Sequence, residues 1–378
     1  MTPGDLAVLR ELAPRLAGRV GVLGEGLRTV FPRATVLGPE ALGRVLARPI
    51  DVLVVANTLH TATDPLRAID TLLDSTDLLV LVEPHRRQRA ATGELGNDGD
   101  RHRFSVGGSG RIDLAATGAV LAHRLYDGTE NEFGPATHLL AVLAGRSALP
   151  LFRVDDYPTG VRPIAGDLAP LHAVLETMDD AGVPLTLGVV PALLTEPMSA
   201  FLRTLRNLRP AVHGFDHGYP KHSQILIDAG DPLNQRGTVT GFDEFAGHGT
   251  EHVAAVLHEA RRRVEAVTGR LATTYIPPNN MAGRATGPAL PLAGFTRVLS
   301  EKPVPRCALP VVASEFYGRS HEAPARLPRV VSLHATWEVD VAREHGPAPL
   351  RRFVEQLAEA ARVVRERQLA LVNALGVH

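Results

Sequence analysis

Cysteine and long apolar runs are both scarce in this chain, and each scarcity excludes a class of protein. The sole cysteine is Cys307, so no internal disulfide can form, and we expect a reducing compartment. No apolar run reaches the length of a bilayer span, and no basic stretch followed by an apolar core opens the chain. The sequence therefore predicts a soluble cytoplasmic protein without a membrane partner.

Runs of like charge are also missing. The formal net charge is -1, with 40 Lys and Arg residues against 41 Asp and Glu residues. This balance argues against nucleic-acid binding as the main role. Lysine occurs only at Lys221 and Lys302, so nearly all basic residues are Arg, and we attach no function to this bias.

The length and the apolar content are sufficient for two domains. The chain has 378 residues, of which 44% are hydrophobic. Strand-like apolar segments alternate with helical patterns in both halves, which is typical of α/β folds with parallel sheets. We expect the boundary near Ala144-Gly145-Arg146-Ser147, which divides the chain into domains 1–146 and 147–378.

The first half predicts a Rossmann-like, doubly wound sheet. A helical pattern opens it at 5–17, and another lies at 65–73. The ranges 111–124 and 136–143 add a helix and one or two further strands. The earlier strand candidates are 19–23, 34–37, 50–56 and 77–82.

The segment from Asp51 to Pro84 resembles the fourth strand, following helix and fifth strand of a class I methyltransferase. Segments 125–127 and 137–143 are similar to that family's closing pair of strands, so the resemblance covers most of residues 1–145. It implies a site for S-adenosylmethionine, formed by a glycine-rich first loop and an acidic residue at the end of the second strand. This chain offers only the lone Gly-x-Gly at 24–26 and Glu40, which comes late after the second strand for a ribose ligand. We therefore favour a non-catalytic domain used for packing, oligomerisation or substrate presentation, with active methyl transfer as the alternative.

The second half predicts a closed or nearly closed (β/α) barrel of about seven units. In such barrels the chemistry lies at the carboxyl ends of the strands. The helix candidates are 168–180, 200–208, 250–268 and 349–367. The strand candidates are 151–154, 184–190, 211–215, 273–277, 297–299, 311–316 and 329–334.

Two adjacent carboxylates end the first of these strands. Asp155 and Asp156 follow an apolar run, and Tyr157-Pro158-Thr159-Gly160 then breaks the strand. Adjacent carboxylates repel each other, so each needs a cation, a hydrogen-bond donor or water to stay charged in a cleft. We expect a metal ion to meet this need.

Two histidines with metal-ligand spacing follow another strand. His213 and His217 are separated by three residues, and the glycines at 214 and 218 favour a turn over a helix. Two imidazoles and one carboxylate leave coordination positions open for water and substrate. Such a set suits one divalent metal ion, zinc above all, with cobalt, nickel, manganese or iron as alternatives.

Plainer interpretations exist for each of these features. His248 and His252 share the same spacing and are the second candidate metal pair, although they also suit an exposed helix start. The two aspartates could form a strand-ending turn. His334 could be a hydrogen-bonded core histidine beside Trp337. Each plainer interpretation is plausible alone, but we do not expect all of them to hold together at matched strand ends.

Residues 148–370 resemble the polysaccharide deacetylase superfamily. The segment 334–340 is similar to the final His-Pro-Trp-Glu strand of some of its subfamilies. The resemblance implies an irregular (β/α) barrel that hydrolyses N-acetyl and related amide or ester bonds with one divalent metal. Its motifs here are Asp155-Asp156, His213-x-x-x-His217, Ile276-Pro277-Pro278-Asn279 and Leu333-His334.

The resemblance also implies roles for individual residues. Asp155 would be the general base, and His334 would be the general acid that protonates the leaving amine. The backbone around 278–280 would help to hold the oxyanion. The implied metal ligands are Asp156, His213 and His217, and the candidate substrate-binding residues are Pro278, Asn279, Asn280, Arg153 and Trp337.

One departure from the superfamily pattern concerns the base. The third motif usually carries an Arg and a Gly around its proline, and Tyr275–Asn280 has neither in place. The residue that orients Asp155 is therefore not identified. Strand alternation sends the nearby Arg153 to a different face from Val154.

These observations predict a cytoplasmic metal-dependent N-deacetylase. Its expected substrate is a small acylated sugar, a nucleotide sugar or a natural-product intermediate in biosynthesis. One alternative is an S-adenosylmethionine-binding protein or methyltransferase with an accessory barrel. Another is a non-catalytic barrel used for binding or assembly.

Overall fold

The computed structural model describes residues 3–377, apart from 17, 25, 47–48, 60–61, 86–102, 107–109, 115–118, 128–136, 159–167, 218–242 and 246. The chain forms two compact units, Met1–Ala148 with Val363–His378, and Leu149–Arg362. The return of residues 363–378 to the first unit is not predicted by the sequence. Within the described ranges, no helix is long and apolar enough to cross a membrane.

A six-stranded sheet forms the centre of the first unit. Its strands are β1 (Val20–Leu23), β2 (Thr35–Val36), β3 (Ile50–Ala56), β4 (Thr76–His85), β7 (Val120–Asp127) and β8 (Thr137–Ala144). The order is β2-β1-β3-β4-β8-β7. The first four strands are parallel, and β8 runs antiparallel to both β4 and β7. A separate antiparallel pair consists of β5 (Arg103–Val106) and β6 (Gly110–Asp113).

Both faces of this sheet are buried. The helices of this part are α1 (Pro3–Leu12), α2 (Leu27–Val30) and α3 (Pro65–Leu73). Successive residues of β3 point to opposite faces, so Val52 and Val54 pack with α1 while Leu53 and Val55 pack with α3. Such two-sided burial explains why β3 and β4 are almost continuously apolar.

One sequence expectation for the first unit has a clear outcome. The helix expected within 111–124 is wrong for the described residues, which form the end of β6 and the start of β7. Pairing with β8 overrides the local helical pattern there. At Gly24, φ is +142°, and a Cβ atom would lie 2.4 Å from the carbonyl oxygen of Ala56. This glycine thus permits close approach of two strand ends, and the likeness to methyltransferases stays a prediction.

An eight-stranded, wholly parallel sheet forms the centre of the second unit. Its strands are β9 (Leu151–Tyr157), β10 (Leu185–Val189), β11 (Leu208–Val212), β12 (Thr274–Tyr275), β13 (Arg297–Leu299), β14 (Val311–Val312), β15 (Phe316–Gly318) and β16 (Val330–His334). The order is β14-β13-β12-β11-β10-β9-β16-β15.

The two edges of this sheet are consecutive strands of the chain. Residues 313–315 alone connect β14 to β15, so the edges lie within about 14 Å of each other, the reach of an extended chain of this length. The sheet therefore curls into an incompletely closed barrel, as expected. The single strand expected at 311–316 is instead split, because Ser314 N donates to the Glu301 carboxylate (3.1 Å to Oε2) rather than to a neighbouring strand.

Helices follow most strands of this unit. They are α4 (Ala169–Asp179), α5 (Glu196–Thr204), α6 (Thr250–Thr268), α7 (Thr286–Leu292), α8 (Ala335–His345) and α9 (Ala348–Leu375). The helix α6 ends at Gly269, whose φ of +66° is the left-handed conformation typical of a helix C-terminus. Phe353 on α9 packs on Phe152 of β9, with ring centroids 5.7 Å apart.

Candidate functional site

Polar side chains from five strands meet at the carboxyl end of the parallel sheet. In the pairing of β16 with β9, His334 lies opposite Asp155. Strand β11 ends at Val212, directly before His213. Tyr317 lies on β15, and Glu301 comes shortly after β13. Because the strands are parallel, their carboxyl ends share one edge, which is where such sheets hold their ligands.

A β-bulge brings the two aspartates to one site. Strand alternation alone would point Asp155 and Asp156 to opposite faces. The pairing of β10 with β9 slips between Leu187 and Val189, so two residues of β9 oppose Gly188 alone. Asp156 has a φ of +70°, which is strained for a residue with a side chain. This conformation turns its carboxylate toward the same site as Asp155.

Asp156, His213 and His217 form the candidate metal centre. One ligand atom from each of the three lies within 4.8 Å of the others, and all three residues are buried. The Nε2 atoms of His213 and His217 lie 3.0 Å and 3.5 Å from Oδ1 of Asp156. This group is the only one of its kind among the described residues.

The protonation of His213 tests whether a metal fits this centre. Its Nδ1 atom lies 2.9 Å from the carbonyl oxygen of Ile276, which only accepts hydrogen bonds. Nδ1 therefore carries the proton, and a neutral His213 turns its Nε2 lone pair toward the Asp156 carboxylate. Two acceptors facing each other repel unless a cation lies between them or the imidazole takes a second proton. The donor set thus fits a divalent metal ion.

Two further features of the centre agree with a cation. The Nδ1 atom of His217 is buried and has no hydrogen-bond partner among the described residues. Burial raises the pKa of Asp156, but the imidazoles of His213, His217 and His334 that contact its carboxylate outweigh burial and hold that pKa well below its usual range. Asp156 is thus an anion at neutral pH, as a metal ligand must be.

Arg153 holds Asp155 in a two-pronged ion pair. Its Nε atom lies 2.7 Å from Oδ1, and its terminal nitrogen lies 2.5 Å from Oδ2. Both side chains are almost fully buried. Side chains alternate between the two faces of a strand, so residues two apart share a face. Arg153 therefore lies on the same face as Asp155 and on the opposite face from Val154. A carboxylate has about four lone-pair sites, so two remain for a proton or water.

The remaining contacts of Arg153 join two loops to Asp155. Arg153 donates to Oε1 of Glu301 at 3.1 Å and to Oδ1 of Asn280 at 2.8 Å. Asn280 also accepts from the amide of Glu301 at 3.1 Å. Arg153 and Asn280 therefore both have protein partners for their polar atoms, and substrate contact by either stays a prediction. Arg153 contacts the carboxylate of Asp155 directly, and Asn280 contacts Arg153.

The other predicted substrate contacts lie around the histidine turn and His334. Pro278 is buried, and a Cβ atom on Gly214 would lie 2.7 Å from its Cγ atom. Asn279 is half-buried with a φ of +55°. The ring of Trp337 lies 3.9 Å, centroid to centroid, from that of His334. Substrate contact by Pro278, Asn279 and Trp337 stays a prediction.

Both nitrogens of His334 have protein partners. Nδ1 lies 2.7 Å from Oδ2 of Asp156, and Nε2 contacts the hydroxyl of Tyr317. Since Asp156 is an anion, Nδ1 is the donor, and a neutral His334 accepts from Tyr317 at Nε2. Asn280 also donates to the Tyr317 hydroxyl, at 3.3 Å. His334 is thus tied to the metal centre on one side and to Tyr317 on the other.

The turn between the two histidines is held by Glu244. The amides of Phe215 and Asp216 donate to its Oε1 atom at 2.9 Å and 2.8 Å. Burial, followed by a hydrogen bond with the Asp216 side chain, raises the pKa of Glu244 to about 8, although the amides of Asp216 and Phe215 act to lower it. A carboxyl group this poorly hydrated persists only because the turn supplies donors for it.

The second candidate metal pair lies away from this cluster. His248 and His252 are exposed near the start of α6, and their rings stack with centroids 4.6 Å apart. Among the described residues, no third ligand-type side chain joins them to make a metal group.

The predictions from the sequence do not include three residues of the candidate site, Tyr317, Glu301 and Glu244. Tyr317 and Glu301 lie on or just after strands, so attention to every strand end would have found them. Glu244 gives no such signal, because it comes from a non-repetitive segment 28 residues from Asp216 and acts through backbone amides.

No protein-family model matches the chain, and a search of curated proteins finds no match either. Among solved structures, the chain is similar to a family 4 carbohydrate esterase from Streptomyces lividans in complex with acetate. The identity is 10% over 57% of this chain and 88% of that one, with a TM-score of 0.32.

Two other solved structures are similar to a comparable degree. A family 4 acetyl xylan esterase from Clostridium thermocellum in complex with a cobalt ion is 13% identical over 58% of this chain and 84% of that one, with a TM-score of 0.32. A CE4 family pseudoenzyme from Bacillus anthracis is 11% identical over 58% and 61%, with a TM-score of 0.31. Because these TM-scores lie below 0.5, the proposals below rest on the side chains of this chain alone.

Proposed function

We propose that this protein is a metal-dependent hydrolase that cleaves a C–N amide bond. The observation that carries the proposal is the group of Asp156, His213 and His217 beside a second, arginine-paired carboxylate and a histidine. Amide hydrolysis needs an activated water, a stabilised tetrahedral oxyanion and a proton for the leaving nitrogen. This one strand edge supplies a residue for each need.

Asp156, His213 and His217 would hold the metal ion, with zinc preferred and cobalt, nickel, manganese or iron as alternatives. When bound, such an ion polarises a carbonyl group and lowers the pKa of water to about 7. The turn between the two histidines and the bulge at Asp156 fix these three side chains before any metal arrives. Such preorganisation is what a catalytic centre requires.

Asp155 would act as the general base. Its two hydrogen bonds from Arg153 fix the plane of the carboxylate that would accept a proton from water. In the proposed reaction, water oxygen bonds to the acyl carbon and one water proton passes to Asp155. The C–N bond then breaks, which yields a carboxylic acid and an amine.

His334 would protonate the leaving nitrogen. Asp156 holds the proton on Nδ1, so His334 would donate from Nε2 as an imidazolium, after Nε2 has taken a second proton from solvent; the Tyr317 hydroxyl stands at that atom. A substrate must therefore displace that hydroxyl before His334 can donate. Histidine suits this task, because its ordinary pKa lies close to neutral pH.

We propose N-acylated small molecules as substrates, among them acylated sugars, nucleotide sugars and natural-product intermediates. The test is a screen of N-acetylated sugars and nucleotide sugars, with release of primary amine as the readout. Asp155→Asn is expected to abolish turnover while the metal content survives. His213→Ala is expected to lose both, and His248→Ala to lose neither. Full activity in Asp155→Asn would refute the assignment of the base.

A further inference from the structure

The turn that carries both histidine ligands closes on one carboxylate. Oε1 of Glu244 accepts from the amides of Phe215 (2.9 Å) and Asp216 (2.8 Å), and Oε2 also lies 2.9 Å from the amide of Phe215. These amides lie between His213 and His217 in the chain. The position of Glu244 therefore fixes the backbone from which both imidazoles project.

The sequence of the turn is adapted to this carboxylate. Gly214 has a φ of +68°, and a Cβ atom there would lie 2.1 Å from Oε2 of Glu244. Only glycine allows both the backbone conformation and the close approach. His217 has a φ of +55°, so a residue with a side chain also takes a left-handed conformation at the end of the turn. Such a conformation persists only where the surroundings enforce it.

The neighbouring carboxylate reaches a different loop. Asp243 accepts from the amide of Phe245 at 3.2 Å, and a Cβ atom on Gly283 would lie 2.0 Å from its Oδ2 atom. Asp243 is buried, and a backbone hydrogen bond joins it to Gly283. The adjacent carboxyl groups of Asp243, which is buried, and Glu244, which is half-buried, thus hold separate segments, and of the two only Glu244 bonds to the histidine turn.

We infer that Glu244 is a positioning residue of the metal centre, which sets the metal affinity by holding His213 and His217 at the spacing that Asp156 completes. The inference rests on the proposed function. Glu244 makes no bond to a candidate ligand and acts through the amides of the turn. Residues that orient metal ligands in this indirect way change metal affinity by about 10- to 100-fold when they are replaced.

The test is a zinc titration of the full chain against a competing chelator, for wild type, Glu244→Ala, Glu244→Gln, Glu244→Met and Asp243→Asn. Glu244→Ala should bind zinc about 10- to 100-fold more weakly. The zinc affinity of Glu244→Gln should lie between those of wild type and Glu244→Ala, because the glutamine carbonyl oxygen can still accept hydrogen bonds from the turn. Asp243→Asn, a matched buried carboxyl that bonds elsewhere, should keep the wild-type affinity. Absorption of the cobalt-loaded proteins should show altered ligand geometry in Glu244→Ala alone.

The outcomes distinguish a failure of the inference about Glu244 from a failure of the proposed function. Wild type that takes up no metal would overturn the proposed function, and this inference with it. Metal-binding wild type with equal affinity in folded Glu244→Ala would overturn the inference alone. Equal weakening in Asp243→Asn would also overturn it, because the effect would then be general loosening. If Glu244→Ala fails to fold, Glu244→Met decides, because its side chain matches Glu in length but offers the turn amides only a weak acceptor; wild-type affinity and cobalt spectrum in that variant would overturn the inference.

Discussion

The carboxyl group of Glu83 should make the stability of the first unit depend on pH. Glu83 lies near the end of β4 and is 2% exposed. Burial raises its pKa from 4.5 to about 7, and the nearby charge of Asp5 adds to the rise. The amides of Thr58 and Leu59, together with His138, act in the opposite direction without cancelling it.

The sign and size of the effect follow from this shift. The folded state binds the proton of Glu83 more tightly than the unfolded state does, so the stabilisation is complete below pH 4.5 and is lost as pH rises through 7. The shift of about 2.5 pH units corresponds to about 3 kcal/mol at about 1.4 kcal/mol per unit. Between pH 4.5 and pH 8, Glu83 should therefore lower the free energy of unfolding by about 3 kcal/mol.

Glu83→Gln should remove this pH dependence without breaking contacts. The amides of Thr58 and Leu59 both donate to Oε1, at 3.0 Å and 3.1 Å, and the carbonyl oxygen of glutamine can accept both. The assay is urea-dependent hydrogen exchange of β3 and β4 peptides between pH 5 and 8, corrected for intrinsic exchange rates. Glu40→Gln, at an exposed carboxylate, is the control. An equal loss of stability in wild type and Glu83→Gln would refute the reasoning.

Two further predictions concern the second unit. Arg153→Met leaves the buried carboxylate of Asp155 unpaired, so urea unfolding followed by Trp337 fluorescence should show a loss of about 3–5 kcal/mol; a loss below 1 kcal/mol would show that the ion pair does not hold Asp155. Tyr317→Phe keeps the ring and removes the hydroxyl that contacts Nε2 of His334. Its turnover should be at least that of wild type at unchanged metal content, because the hydroxyl that substrate must displace is gone; a fall of about 10-fold or more would contradict that displacement.

The strand pattern predicted where the site would form. The apolar runs at 50–56 and 297–299 coincide with β3 and β13, and those at 151–154 and 329–334 largely match β9 and β16. Because the strands of the second unit are parallel, Asp155, His213 and His334 had to reach one edge. Periodicity and strand order therefore carry most of the information about the place of the site.

The arrangement within the site needed the structure. No sequence rule predicts the bulge that turns Asp155 and Asp156 to one side, because it depends on pairing with β10. Alternation already placed Arg153 on the face of Asp155, but its bonds to Glu301 and Asn280 arise only when distant loops meet. Long-range contacts also explain why no helix forms among the described residues of 111–124, because β7 pairs with β8 there.

The metal content of the purified protein tests the central claim most directly. Elemental analysis should compare wild type, His213→Ala and His248→Ala after identical reconstitution with zinc. Asp156, His213 and His217 predict about one equivalent of metal in wild type and in His248→Ala, and its loss in His213→Ala. No metal in any sample, or loss only in His248→Ala, would contradict the assignment of the centre.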